Sequence, residues 1–251
     1  MKNKSYIYGI HSVQAALEQQ PEQIQTLYIL ENRGDKRLAF ILELAQQKNI
    51  PSTILSRQKL DTLVNQGNHQ GVVLQCLWQK NWSEDELENL LDQATGKTFL
   101  LILDGVQDPH NLGACLRSAN GAGVDAVIVP KDRAVGLTST VRKVASGAAE
   151  ETPLIAVTNL ARTLQWLKQR GIWLYGTSDT ATQALYATDL SGPLGLVLGS
   201  EDKGLRRLTT EHCDTLMSIP MSGSVNSLNV SVAAGICLYE VVRQRMVHYR
   251  Q

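Results

Sequence analysis

The stretch TFLLILDGVQDPHNLGACLRSANGAGVDAVIVP, Thr98 to Pro130, decides the fold class. Its apolar run from Thr98 to Leu103 ends in a polar turn and reads as a strand, Leu112 to Asn120 reads as a helix, and Ala126 to Val129 as the next strand. Strand, helix and strand in that order make a βαβ unit, whose ligands usually sit in the loops that follow the strands. Here that loop is Asp104-Gly105-Val106-Gln107-Asp108-Pro109-His110-Asn111. It lacks the G-x-G-x-x-G pattern, which disfavours a dinucleotide-binding oxidoreductase. Asn111 is placed either to cap the helix at Leu112 or to face a ligand. Arg117 sits on a helix otherwise built of Leu, Ala, Cys and Gly, where a guanidinium is expected to need an anionic partner.

The same logic recurs downstream. A helix is expected through Thr138–Pro153, then a strand near Ile155 and Ala156, a helix from Leu160 to Arg170, and a strand over Ile172–Ser178. The apolar strand Leu194 to Leu198 ends in Gly199-Ser200-Glu201-Asp202-Lys203-Gly204, where Gly199 and Gly204 allow the backbone to approach a ligand closely. Glu201, a lone loop carboxylate, is otherwise an ordinary solvated group. The segment IPMSGSVNSLNVSVAAGICLYEVVRQR, Ile219 to Arg245, passes from a strand end through small polar residues into a helix. Val230, Ala233, Ala234, Cys237 and Val241 fall at helical spacing there. Ser227 and Asn229 suit a helix N-terminus. Yet Ser222, Ser224, Asn226, Ser227 and Asn229 offer more donors and acceptors than one cap can use. Three loops thus make three candidate walls of one site.

Upstream, residues 5 to 78 alternate short β-like and helical patterns, as a small α/β domain does. No acid, base and nucleophile constellation is visible in it, and His11 and His69 read as structural or surface residues. Arg33, Lys36, Arg37, Arg57 and Lys59 suit phosphate contacts or a solvated face, so a binding domain is expected. Gln79 to Lys97 turns acidic, and Ser83 with Glu86 three residues later marks a capping box. The organisation expected is therefore a binding domain over 1–78, an acidic linker over 79–97 and a second α/β domain over 98–251.

Composition bounds the function classes. Hydrophobic residues make up 43% and charged residues 19% of the 251, an ordinary globular balance. No apolar run approaches the roughly 20 residues of a spanning helix, and MKNKSYIYGIHS lacks the apolar region of a signal peptide, so a cytoplasmic protein without a membrane partner is expected. Cys76, Cys115, Cys213 and Cys237 show no C-x-x-C pair and no accompanying His cluster, which suggests buried reduced thiols and no metal site. Net charge is zero, a mild argument against nucleic acid. Its distribution softens that argument: residues 1–80 hold 9 Lys and Arg against 6 Asp and Glu, and the acidic excess is concentrated over 81–100, with 1 against 5.

DGVQDPHNLGACLRSANGAG, LVLGSEDKGL and IPMSGSVNSLNVSVAAGICLYE, in this order, closely resemble the three motifs of the SpoU (TrmH) family of S-adenosylmethionine-dependent RNA 2′-O-ribose methyltransferases. The resemblance covers roughly residues 98 to 245. YGIHSVQAALE and HQGVV resemble the RNA-binding domain of the subgroup that methylates guanosine in large-subunit (23S) ribosomal RNA. The resemblance implies an α/β fold with a deep trefoil knot, and a homodimer in which both subunits contribute to each site. The implied substrate is 23S ribosomal RNA or an assembling large subunit. It implies functional roles for Asn111, Arg117, Glu201, Ser227 and Asn229, and cofactor contacts from Gly199, Ile219 and Leu228. Arg117 would clamp the phosphate beside the target ribose, because an arginine is too weak an acid to serve as a base; Glu201 would orient Arg117 or accept the proton through water. Ser200, Asp202 and Lys203 depart from the residues common in the second motif. A transfer-RNA ribose methyltransferase and a non-catalytic RNA-binding assembly factor are the alternatives.

Overall fold

Short apolar strands alternate with helices along the whole chain. The computed structural model describes residues 5–19, 21–31, 36–76, 82–94, 97–201 and 203–248. Arg33 and Asp202, which the sequence analysis named, lie outside the described residues. In chain order the first elements are β1 (Ser5–Tyr8), α1 (Ile10–Gln19), β2 (Ile24–Leu30), α2 (Lys36–Gln47), β3 (Ser52–Leu55), α3 (Arg57–Leu63) and β4 (Val72–Cys76). There follow α4 (Glu84–Gln93), β5 (Phe99–Asp104), α5 (Pro109–Gly121), β6 (Ala126–Pro130), α6 (Ser139–Ala145) and α7 (Ala148–Glu151). The chain continues through β7 (Leu154–Val157), α8 (Leu160–Gln169), β8 (Trp173–Thr177), β9 (Gln183–Ala184), β10 (Leu194–Gly199), α9 (Arg207–His212), β11 (Thr215–Ser218) and α10 (Val230–His248).

These form two compact units, Met1–Lys80 with Leu137–Glu151, and Asn81–Gly136 with Thr152–Gln251. In the first, β1-β4-β2-β3 make a sheet in which β4 is antiparallel to both neighbours and β3 parallel to β2. Val13 and Leu17 of α1 and Leu38 and Ile41 of α2 are buried with Leu27, Val72 and Leu74 of the strands. His69 is buried, its Nδ1 accepting the Gly71 N–H at 3.0 Å and its Nε2 lying 3.2 Å from Asp61, so it fixes the turn before β4. The helix expected over Thr138–Pro153 is broken at Ser146 and Gly147, whose φ values of 51° and 95° are left-handed. The two resulting helices are held in the first unit by the Ser12 hydroxyl, which donates to the Arg142 carbonyl at 3.3 Å, and by a buried Arg142–Glu150 pair.

The second unit is built on a sheet ordered β7-β6-β5-β10-β8-β11-β9, every pairing parallel. A sheet covered by helices on both faces needs strands apolar on both sides, and every residue of β5 and β6 is buried. Leu100 and Ile102 join Leu87 of α4 and Leu160, Leu164 and Leu167 of α8 in one core. Phe99, on the opposite side of the strand by alternation, lies under the Arg245 guanidinium of α10 at 4.9 Å. The acidic segment expected as a linker with a capped helix supplies α4, whose capping box forms: Ser83 Oγ accepts the Glu86 N–H and Glu86 accepts the Ser83 N–H at 2.8 Å. Its acidic face meets Arg162 of α8 and Arg170 just past its end; these pairs are partly exposed and weak, so the burial of Leu87 is what fixes the helix. Among the described residues, no helix is long and apolar enough to cross a membrane.

Candidate functional site

In a parallel sheet the ligand loops gather at the carboxyl ends of the strands, and here the loops after β5, β8, β10 and β11 do so. The β10 strand runs between β5 and β8, with Gly199 in register with Asp104. Beyond Gly199 the backbone folds back on itself: the Ser200 N–H donates to the Gly204 carbonyl at 3.2 Å and the Gly204 N–H to the Ser200 carbonyl at 2.9 Å. A Cβ at Gly199 would stand 2.0 Å from the Gly204 carbonyl carbon, so only glycine fits. The turn presents Glu201 outward. The base of this loop is tied to β5 by Asp104, 1% exposed, which accepts the Arg206 N–H at 3.0 Å and its Nε–H at 2.5 Å.

Glu201 is gripped by two amides. Asn111 Nδ2 donates to both carboxylate oxygens at 3.0 Å, and Asn229 Nδ2 donates to Glu201 Oε1 and, at 3.0 Å, to Asn111 Oδ1. Asn229 Oδ1 accepts the Ser231 N–H at 3.0 Å, the cap of α10. A side-chain amide has two donors and one acceptor oxygen, and both amides use them here. Because hydrogen bonds to a charged group contribute about 1.5–3 kcal/mol each, the triad Asn111–Glu201–Asn229 is a held arrangement, with Oε2 less engaged than Oε1. Asn111 does not cap α5: the helix begins at Pro109, and Asp108 is the cap, accepting the His110 N–H at 2.9 Å. Proline at the first helical position, where no N–H is needed, explains the earlier start.

Two cavities meet at this triad. One, of about 460 Å³, is lined by Leu198, Gly199, Met217, Ile219, Leu228 and Val230 on its apolar walls, with Thr177, Ser178, Asp179, Asn226 and Ser227 among its polar groups. The other, of about 380 Å³, is lined by Asp104–Asp108, Asn111, Arg133 and Arg206. Ser200, Glu201, Lys203 and Val230 line both. The expected cofactor residues Gly199, Ile219 and Leu228 thus share one cavity, and Ser227 lies on it, away from the triad's hydrogen bonds. Thr177, Ser178, Asp179 and Arg133 were missed by sequence reasoning; Thr177 ends a parallel strand and Ser178 and Asp179 follow it, a signal that was available.

Arg117 stands apart. It is exposed on α5 and lines neither cavity. Six residues separate it from Asn111, roughly 240° around a helix, so the two side chains leave α5 in different directions, and within this chain Glu201 does not orient Arg117. The expected burial among apolar residues is corrected accordingly. Arg117 instead shares a face with Gly121, one turn on, where an added Cβ would lie 3.1 Å from the Tyr239 hydroxyl. Val232, Tyr239 and Met246, spaced by sevens on α10, are exposed at 50%, 53% and 64%. The cysteine thiols play no part in either cavity: Cys115 and Cys237 are buried, and burial pushes both up to about 12.

The model of the SpoU rRNA Methylase family matches residues 98–239, and that described as RNA 2′-O ribose methyltransferase substrate binding matches residues 6–82. The 23S rRNA (guanosine-2′-O-)-methyltransferase RlmB of Coxiella burnetii is 56% identical over 95% of this chain and 95% of its own length. The protein of the same name from Escherichia coli K12 is 53% identical over 95% and 98%. Among solved structures, the SpoU methyltransferase AviRb from Streptomyces viridochromogenes, in complex with AdoMet, shares the fold with a TM-score of 0.81 at 24% identity, over 97% of this chain and 91% of its own. Motif order, strand order and these matches agree, and the chain belongs to the SpoU rRNA methylase family.

Proposed function

We propose that the protein transfers a methyl group from S-adenosylmethionine to the ribose 2′-hydroxyl of a guanosine in 23S ribosomal RNA, in the cytoplasm, during ribosome biogenesis. The observation that carries this reading is the amide-gripped Glu201 on the wall common to two cavities, in a chain more than half identical to relatives named for that reaction. The larger cavity fits the cofactor. Its volume is that of a small-molecule pocket, its apolar residues Leu198, Met217, Ile219 and Leu228 suit an adenine face, and Thr177, Asp179 and Asn226 suit ribose hydroxyls and the amino-acid group. When bound, S-adenosylmethionine supplies a methyl on a sulfonium, already activated, with a neutral leaving group.

The demand on the protein falls on the nucleophile, a weakly acidic hydroxyl that must be aligned and relieved of its proton. Glu201 Oε2, the oxygen accepting fewer hydrogen bonds, is the atom suited to take that proton, directly or through one water. Asn111 and Asn229 fix its direction. Ser227, on the cofactor cavity, helps hold the ligand in register with the acceptor. Arg117 would grip the phosphate beside the target ribose as a charged clamp. Its exposure beside the apolar Val232–Tyr239–Met246 stripe supports a homodimer formed through α5 and α10, in which Arg117 of the partner subunit completes each site. The trefoil knot of this reading is supported by membership of the SpoU family.

Mapping 2′-O-methylation in ribosomal and transfer RNA from cells with and without the protein tests the reading. One guanosine ribose methyl of 23S RNA is expected to disappear. Loss from transfer RNA alone, or from neither, would overturn it.

A further inference from the structure

Beside the Arg117 supplied by a partner subunit, each subunit carries cations of its own next to the site. The smaller cavity shares its Glu201 wall with the cofactor cavity, so a ribose hydroxyl at Glu201 Oε2 carries its flanking phosphodiester into a space lined by Arg133, Lys203 and Arg206. Phosphate contacts fix the register of a bound nucleic acid, while base contacts specify its sequence. The cations in this cavity differ in availability. Arg206 is committed to the buried Asp104 carboxylate. Among the described acidic groups that line the cavity, Asp104 is neutralised by Arg206, while Asp108 and Glu201 keep their charge and are oriented by N–H donors, from His110 and from the two amides. Among the described residues, Arg133 and Lys203 are the lining cations not paired with a carboxylate.

Arg133 is also held there. Its backbone is left-handed, with φ of 62°, in a loop pinned on both sides: the Lys131 N–H donates to the Val157 carbonyl at 2.8 Å and the Val135 N–H to the Val106 carbonyl at 3.0 Å. Gln107 Nε2 reaches the Arg133 carbonyl at 3.5 Å. A left-handed non-glycine residue costs of order 1–3 kcal/mol and persists where its surroundings impose it. Glycine would relieve that strain at this position, and the chain carries an arginine.

We propose that the cavity between the loop after β5 and the loop after β10 seats the phosphodiester of the target nucleotide, with Arg133, assisted by Lys203, as its positioning clamp within each subunit. This rests on the methyl-transfer reading of Glu201. The test uses the full-length protein and a 23S RNA fragment containing the target: RNA affinity by fluorescence anisotropy from low to moderate salt, and methyl transfer under steady-state conditions. Arg133→Gly removes the guanidinium and suits the backbone, so it is the primary variant; Arg133→Lys keeps the charge without the fork. For Arg133→Gly, affinity is expected to fall about tenfold and the slope of log affinity against log salt to shrink by about 0.7, one phosphate contact on a single strand. KM for RNA rises accordingly while kcat changes far less, and cofactor affinity measured by calorimetry stays at the wild-type value. Arg133→Lys recovers most of the slope. An unchanged slope and affinity in Arg133→Gly would overturn the proposal, as would a loss confined to kcat. Wild-type protein that binds this RNA with an Arg133-dependent slope yet transfers no methyl would retain the clamp and sink the methyl-transfer reading instead.

Discussion

Glu201 accepts from two amides at once, and that makes its charge the sensitive variable of the site. In Glu201→Gln an NH₂ replaces Oε2 and faces the Asn111 NH₂, so the triad loses one of its two acceptor oxygens as well as its proton sink. Single-turnover methyl transfer is expected to fall about a hundredfold or more, with cofactor affinity near wild type because the apolar walls of the larger cavity are untouched. Weak cofactor binding with an unchanged rate would contradict that assignment. Asn111, Glu201 and Asn229 were legible in the sequence through their motifs, since three polar residues at the ends of three βα or loop–helix junctions converge in a parallel sheet. The direction of Arg117 was also legible, because a six-residue spacing on a helix separates it from Asn111, but its apolar sequence neighbours drew attention to burial instead. Arg133 was not legible. An exposed arginine in a loop looks like any solvated charge until the contact between Val135 and Val106 brings that loop to the cavity.

At the scale of elements, the loop after β10 depends on one missing methyl group. A Cβ at Gly199 would collide with the Gly204 carbonyl and, at 2.2 Å, with the Leu205 nitrogen, all backbone atoms that cannot rotate away. Gly199→Ala is therefore expected to push the Ser200–Gly204 turn off β10, weakening cofactor binding strongly and lowering Tm by roughly 3–10 °C. Calorimetry with S-adenosylmethionine and a thermal melt check both; a variant with wild-type binding and Tm would show that the turn tolerates a shift. Periodicity located most strands and helices to within a residue or two, because buried parallel strands are short apolar runs bounded by turn residues. It failed where the backbone conformation decided the outcome: left-handed Ser146 and Gly147 split one expected helix into two. The polar Thr215–Ser218 strand, placed one residue earlier than Ile219, was hidden by its weak apolar pattern.

At the scale of the molecule, the order of strands could not be read from the chain. Sequential strands usually neighbour one another, whereas here β10 separates β5 from β8, and this insertion is what brings Gly199 beside Asp104 and Glu201 beside Asn111. The exposed stripe on α10 was likewise concealed, since a helix apolar on two faces looks in sequence like a helix buried on one. If Arg117 of the partner subunit completes each site, then mixing inactive Arg117→Ala and Glu201→Gln proteins under subunit exchange restores activity, to about a quarter of wild-type sites at equal mixing. No recovery, with heterodimers demonstrated by mass, would place Arg117 and Glu201 in the same subunit's site. The central claim is tested most directly by incubating the purified protein with labelled S-adenosylmethionine and unmodified 23S ribosomal RNA, then digesting the RNA to nucleosides. The account predicts about one label per RNA, in 2′-O-methylguanosine, abolished by Glu201→Gln; no label, or label in a base or another nucleoside, would contradict it.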